Sequence, residues 1–196
     1  MLPYQNPNLP IEERLDDLIA RMTLEELIAQ TDQYSADGFV RRDANGNALA
    51  VETEKLEAVF GGLSVGSVQP RCLTARQINE IQRYAVERTR LGIPFLFSEE
   101  ALHGVLARDT TCFPQQIGLA ATFDPELCRE YARTIAREYR ALGIATALSP
   151  QVDVGTEPRW MRVADTFGAH PGLVADMGRA YCDGMQSDPD RDGNWG

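Results

Sequence analysis

The sequence has few residues that could bind a metal ion or form disulfides. Its two histidines, His103 and His170, lie far apart, and no cluster of further ligands surrounds either of them. The four cysteines show no C-x-x-C spacing, and scattered cysteines in a domain of ordinary size are more often buried thiols than disulfides. We therefore predict no metal site.

Long apolar runs and an excess of positive charge are also missing. No run approaches the roughly 20 residues of a membrane span, and the first ten residues lack the basic and apolar regions of a signal peptide. The net charge is −10, and an acidic surface repels nucleic acid and anionic lipid. We expect neither nucleic-acid nor membrane partners. The predicted location is cytoplasmic, or secreted or periplasmic if a leader has been removed.

Strand and helix patterns alternate in the second part of the chain. Residues 1–60 are predicted to be a lead-in of helices and loops, with helices between Pro10 and about Tyr34, a surface loop at 35–50 and a short helix at 53–60. Residues 61–196 contain predicted strands at 63–69, 93–98 and 144–148, each followed by a helix, at 74–89, 125–142 and 172–186.

This alternation predicts an α/β fold with a parallel sheet. The strands lack polar alternation, which is typical of strands buried on both faces, and no G-x-G-x-x-G follows a strand. We therefore predict a (β/α)8 barrel of the TIM type. Since such a barrel takes about 250 residues, the chain is predicted to be an incomplete barrel of the first three or so βα units. Residues 188–196 are predicted to be a loop leading to later strands and a C-terminal domain.

Functional groups of such barrels lie at the C-terminal ends of the strands. Two groups of polar residues are found there: Glu99, Glu100 and His103 after the second strand, and Asp153, Arg159 and Arg162 after the third. Spacing alone leaves their function open. Glu99 and Glu100 could be a solvated helix start, and Arg162 could form a salt bridge with Asp165 or Glu157.

Recognisable motifs lie in these loops and along nearly the whole chain. They include Arg21-Met22-Thr23-Leu24-Glu25-Glu26, Glu100-Ala101-Leu102-His103-Gly104, Phe113-Pro114-Gln115, Ala121-Thr122-Phe123-Asp124-Pro125 and Glu157-Pro158-Arg159-Trp160-Met161-Arg162. Together these motifs resemble glycoside hydrolase family 3 in its branch of β-glucosidases and β-xylosidases. The resemblance implies a retaining, exo-acting glycoside hydrolase that cleaves terminal non-reducing β-glucosides or β-xylosides by double displacement without a cofactor. The implied partners are the carbohydrate substrate and the remainder of the same polypeptide.

The resemblance also implies roles for individual residues. Glu100 and Arg162 would bind sugar hydroxyls, with His103, Asp153 and Arg159 as possible supporting residues. The family's nucleophile and acid/base groups come from later in the chain, so no catalytic residue is assigned here. The isolated chain is accordingly predicted to be inactive.

The sequence departs from the family pattern around Arg162, at Met161, Asp165 and Ala169-His170. It also lacks the Asp-x-Glu-Gly-Gly motif of the family's amidohexosaminidase branch, which favours glucosides or xylosides as substrates. Three alternatives remain: a non-catalytic carbohydrate-binding barrel fragment, a metal-dependent barrel hydrolase, and a structural or partner-binding domain.

Overall fold

The computed structural model describes residues 1–187. The helices are α1 (Ile11–Arg21), α2 (Leu24–Ala29), α3 (Thr53–Phe60), α4 (Ala75–Arg88), α5 (Gln116–Ala120), α6 (Pro125–Leu142) and α7 (Pro171–Gln186). The strands are β1 (Gln33–Ser35), β2 (Val40–Arg42), β3 (Ala48–Val51), β4 (Ser67–Gln69), β5 (Leu96–Glu99) and β6 (Thr146–Ala147). The loop predicted for residues 188–196 lies outside this part.

The chain forms two compact units. One comprises Met1–Gln69 and Asn79–Leu96, and the other comprises Pro70–Ile78 and the described residues from Phe97. Within residues 1–187, no helix combines the length and the apolar character that crossing a membrane requires.

In the first unit, β1 pairs in parallel with β4. The sequence predicted helix up to about Tyr34, which is wrong, because α2 ends at Ala29. The residues that follow α2 pack closely against Gly66. A Cβ atom on Gly66 would lie 2.0 Å from the carbonyl oxygen of Gln30. This close approach lets the following residues join β4 by backbone hydrogen bonds instead of continuing the helix.

The segment predicted as a surface loop at 35–50 contains a hairpin. Strands β2 and β3 pair antiparallel, with an irregular register between Arg41 and Arg42. The turn is closed by Asp43, whose carboxylate accepts backbone N–H groups from Asn45 (2.9 Å) and Asn47 (2.8 Å). Strands of three and four residues are too short to show an alternating pattern, so the prediction of a loop was wrong.

Aromatic side chains form the core of the first unit. The ring of Phe60 lies 5.1–6.0 Å, centroid to centroid, from the rings of Tyr34, Phe39, Tyr84 and Phe95. Tilted and edge-on pairs of this kind stabilise a core by about 0.5–1.5 kcal/mol each beyond the burial of their surface. Phe60 ends α3, and this cluster explains why that short helix is held in place.

In the second unit, β5 and β6 are parallel, with Ser98 opposite Thr146 and Glu99 opposite Ala147. Helices α5 and α6 lie between these strands in sequence, so the segment is a βαβ unit. The predicted parallel pairing and the predicted order of strands and helices are therefore confirmed in this region.

Helix α6 begins and ends where the sequence predicts. The side chain of Asp124 accepts the backbone N–H groups of Glu126 and Leu127, and Pro125 occupies the first helical position. Gly143 ends the helix with φ 79°, a left-handed conformation that glycine adopts without steric cost.

Helices α6 and α7 pack closely because α7 has a glycine at the contact. A Cβ atom on Gly184 would lie 2.5 Å from the carbonyl oxygen of Arg129 and 2.6 Å from the Cβ of Ala132. Both distances are shorter than van der Waals contact, so any side chain at this position would push the helices apart.

We predict that Gly184→Ala destabilises the fold by about 1–3 kcal/mol, since the clash outweighs the better helix propensity of alanine. Urea unfolding followed by circular dichroism measures this effect. Gly38→Ala is the matched control, because a Cβ atom there meets nothing within 4 Å. If the urea midpoint of Gly184→Ala equals that of the unchanged protein, the close packing of α6 and α7 at Gly184 is contradicted.

All four cysteines are free thiols. Cys128 is buried, and burial raises the pKa of its thiol to about 12. The expectation that the cysteines are buried is wrong for Cys112 and Cys182, which are exposed. Cys112 lies in a loop and Cys182 on the solvent face of α7, so neither reaches the core.

Candidate functional site

Glu100 lies directly after β5, and its side chain is partly buried. Together with His103 and Asp165 it lines a cavity of about 430 Å³. A cavity of this size falls in the range of small-molecule binding sites, which is about 300–1,000 Å³. The predicted subsite carboxylate is therefore at the wall of a cavity large enough for a small ligand.

The wall of this cavity depends on a glycine. Gly104 has φ 114°, and a Cβ atom on it would lie 2.1 Å from the carbonyl oxygen of Thr111. Close by, the backbone N–H of Phe113 donates to the carbonyl of His103 at 2.8 Å. The loop after β5 thus folds back on itself, which brings residues 110–112 to the cavity beside Glu100.

Arg162 is oriented by an acidic neighbour. Its Nε donates to Oδ2 of Asp165 at 2.9 Å across the short 3-10 turn Val163–Asp165, while 46% of the side chain stays exposed. This hydrogen bond raises the pKa of the guanidinium, and the fields of Glu100 and Asp153 add to the effect. Glu100, Asp153 and Arg162, taken from two separate loops of the sequence, therefore belong to one electrostatic cluster.

Arg159 is bound elsewhere. Its guanidinium donates to both carboxylate oxygens of Glu157, at 2.8 and 2.7 Å, and 88% of the side chain is exposed. The side-chain and backbone hydrogen bonds from Arg159 lower the pKa of Glu157 to about 2. This pairing turns the guanidinium to Glu157, and the supporting role of Arg159 stays a prediction.

The other predicted supporting residues lie at the edge of the cluster. His103 is exposed at the cavity wall, and Asp153 is exposed and accepts a hydrogen bond from the side-chain amide of Gln151. The backbone N–H of Gln151 in turn donates to Oε1 of the fully buried Gln116 at 3.2 Å. Gln116 therefore anchors the start of the loop that carries Asp153.

The salt bridge that the sequence analysis expected between Arg162 and either Asp165 or Glu157 is formed with Asp165. Asp165 also lines the cavity, which the sequence analysis did not predict. The available signal was its three-residue spacing from Arg162.

The alternative that Glu99 and Glu100 are a solvated helix start is wrong for Glu99, which is the last residue of β5. Its side chain is fully buried, and its Oε2 accepts the backbone N–H of Arg71 at 2.6 Å. Arg71 and Cys72 both have positive φ, at 54° and 64°. Such left-handed residues each cost about 1–3 kcal/mol and persist only where surrounding contacts hold them.

Within residues 1–187, no group of three or more histidine, cysteine, aspartate or glutamate side chains is arranged to hold a metal ion. The cavity instead combines a carboxylate acceptor with a guanidinium donor nearby. This pairing suits a neutral ligand with many hydroxyl groups, each of which can donate to a carboxylate and accept from a guanidinium.

Residues 23–190 match the Glycosyl hydrolase family 3 N terminal domain. The chain is 36% identical to beta-glucosidase C of Emericella nidulans over 194 residues, which cover 94% of this chain and 31% of that protein. It is 37% identical to the periplasmic beta-glucosidase/beta-xylosidase of Dickeya chrysanthemi, covering 94% of this chain and 30% of that protein. The chain thus spans under a third of the length of these curated relatives.

A solved structure is also similar. The β-glucosidase from Listeria innocua, determined in complex with glucose, superposes with a TM-score of 0.73 and 32% identity, covering 90% of this chain and 24% of that chain. This likeness and the parallel strand pairs confirm the predicted α/β fold as an incomplete barrel of the (β/α)8 type.

Proposed function

The chain belongs to glycosyl hydrolase family 3, and we propose that it is the sugar-binding N-terminal part of a retaining, exo-acting β-glycosidase for terminal β-glucosides or β-xylosides. The relatives named above are β-glucosidases and a β-glucosidase/β-xylosidase, and one was solved with glucose. The names of these relatives support β-glucosides or β-xylosides as the substrate class. The residues at the cavity support the binding of sugar hydroxyls.

The observation that carries the proposal is the cluster of Glu100, Arg162 and Asp165 at the cavity. Asp165 holds the guanidinium by one nitrogen, Nε, which leaves other N–H groups of the partly exposed Arg162 for a ligand. Glu100 and Asp165 both line the cavity. A pyranose in the cavity donates hydroxyl protons to Glu100 and accepts hydrogen bonds from Arg162.

In this proposal the two residues bind and orient the ring and do not break the glycosidic bond. Charged hydrogen bonds to ring hydroxyls promote reaction when they are stronger in the transition state than in the ground state. Retaining hydrolysis needs a nucleophilic carboxylate and an acid/base group about 5 Å apart. We propose that both groups, and part of the sugar pocket, come from the remainder of the polypeptide.

The test uses a form of the protein extended to the length of its relatives, with chromogenic β-glucoside and β-xyloside substrates. Proton NMR during hydrolysis should show the β-anomer of the free sugar first, because two displacements retain the configuration. An α-anomer as first product contradicts the retaining mechanism. Sugar binding without any turnover favours the non-catalytic carbohydrate-binding alternative.

A further inference from the structure

Glu99 is the last residue of β5, and its carboxylate binds two different segments of main chain. Oε2 accepts the backbone N–H of Arg71 at 2.6 Å, and Oε1 accepts the backbone N–H of Glu100 at 3.0 Å. The side chain is fully buried. A buried carboxylate is costly unless hydrogen bonds satisfy its oxygens, so both contacts stabilise the charged form in this position.

The main chain of Glu99 is tied to further elements. Its carbonyl oxygen accepts the backbone N–H of Leu148, just after β6, at 2.9 Å, and also the hydroxyl of Tyr139 in α6. Glu99 therefore connects the end of β5 to the end of β6, to helix α6 and to the segment that contains Arg71.

The segment bound by Oε2 needs such an anchor. Arg71 and Cys72 are consecutive left-handed residues without the freedom of glycine, and the hydrogen bond from Arg71 to Glu99 holds the first of them. The second carboxylate oxygen of Glu99, Oε1, accepts the N–H of Glu100. Both oxygens belong to one rigid carboxylate, so a shift of the hydrogen bond to Arg71 also shifts the hydrogen bond to Glu100.

We propose that Glu99 is a positioning residue that sets the direction of the Glu100 carboxylate toward the sugar. This inference rests on the proposed function, in which Glu100 binds ring hydroxyls. Glu99 itself touches no substrate and acts through the backbone of its neighbour.

The chemistry requires a carboxylate and not an amide. Glutamine offers a single acceptor oxygen and an NH2 group, so one of the two backbone N–H groups then faces a donor. Glu99→Gln keeps the volume of the side chain and removes one acceptor. It therefore changes the alignment of Glu100 without opening a cavity.

The first test is a double-mutant cycle on kcat/KM, in a form of the protein that hydrolyses β-glucosides or β-xylosides. Glu99→Gln is expected to lower kcat/KM at least tenfold. In a Glu100→Ala background the same change is expected to lower it less than twofold, since the group that Glu99 positions is gone. A purely structural role predicts equal losses in both backgrounds, which would overturn the inference.

The matched control is Glu26→Gln. Glu26 is also a buried carboxylate; it binds Arg90 and the backbone of Thr23 in the N-terminal part of the chain. This variant is expected to lower the urea midpoint and to change kcat/KM less than twofold. If it lowers kcat/KM as much as Glu99→Gln does, the effect reports general destabilisation and the inference fails.

The second test needs no activity and uses the 196-residue chain. Backbone amide exchange by NMR is expected to be slow at Arg71 and Glu100, and at least tenfold faster at one of them in Glu99→Gln. Equal exchange rates in the two proteins would show that the carboxylate does not hold these amides. If instead the amides respond and Glu100→Ala leaves kcat/KM unchanged, the proposed sugar-binding role fails, and the positioning role fails with it.

Discussion

The isolated 196-residue chain should release no chromophore from a β-glucoside or β-xyloside above the uncatalysed rate. Double displacement needs a nucleophilic carboxylate and an acid/base group, and we assign neither to this chain. Glu100 lines the cavity, and its role in our proposal is to bind hydroxyls. Asp165 is held by Arg162.

Extension of the chain to the length of its relatives should raise the rate by about a million-fold or more, which is the lower range of enzymatic acceleration. The measurement compares both forms at equal concentration. The isolated chain with Glu100→Ala, purified in the same way, serves as the control for contaminating glycosidase. Turnover by the isolated chain that disappears in this variant would place catalytic chemistry inside the 196 residues and contradict the proposed division of roles.

In the extended protein, Glu100→Ala should lower kcat/KM by about 100-fold to 10,000-fold. The estimate assumes two hydrogen bonds from sugar hydroxyls to a charged acceptor, each contributing about 1.5–3 kcal/mol, with 1.4 kcal/mol equal to a tenfold change. Glu100→Gln, which keeps one acceptor oxygen, should give an intermediate loss.

The control for this variant is Glu126→Ala, which removes an exposed carboxylate from the first turn of α6. It should change kcat/KM less than twofold. Because Glu100 is only partly buried, its removal should alter the urea midpoint little. Wild-type kinetics in Glu100→Ala would remove this residue from the sugar site.

Local signals in the sequence were enough to predict most helices. Thr23 and Glu26 form a capping box at the start of α2, and α6 occupies the predicted residues 125–142 between the caps Asp124 and Gly143. These signals work because a cap satisfies backbone groups within three or four residues of itself. The same locality explains why the order of the later strands and helices could be predicted.

The strands of the lead-in escaped prediction because their stabilising partners are distant in sequence. β1 exists through hydrogen bonds to β4, more than thirty residues away, and its three residues carry no periodic pattern of their own. Likewise β2 and β3 stabilise each other around an irregular register. Non-local pairing of short strands cannot be detected from local residue patterns.

The sequence by itself determined the order of the later βα elements, most helix boundaries and the positions of Glu100 and Arg162 after strands, because caps and apolar patterns act over a few residues. The sequence left open whether Arg162 pairs with Asp165 or Glu157, and the structure pairs it with Asp165 and Glu157 with Arg159. Only the tertiary structure decided the contacts between distant segments, such as the carboxylate of Glu99 with the backbone N–H of Arg71. Contacts of this kind depend on how loops converge in space, and no local residue pattern records them.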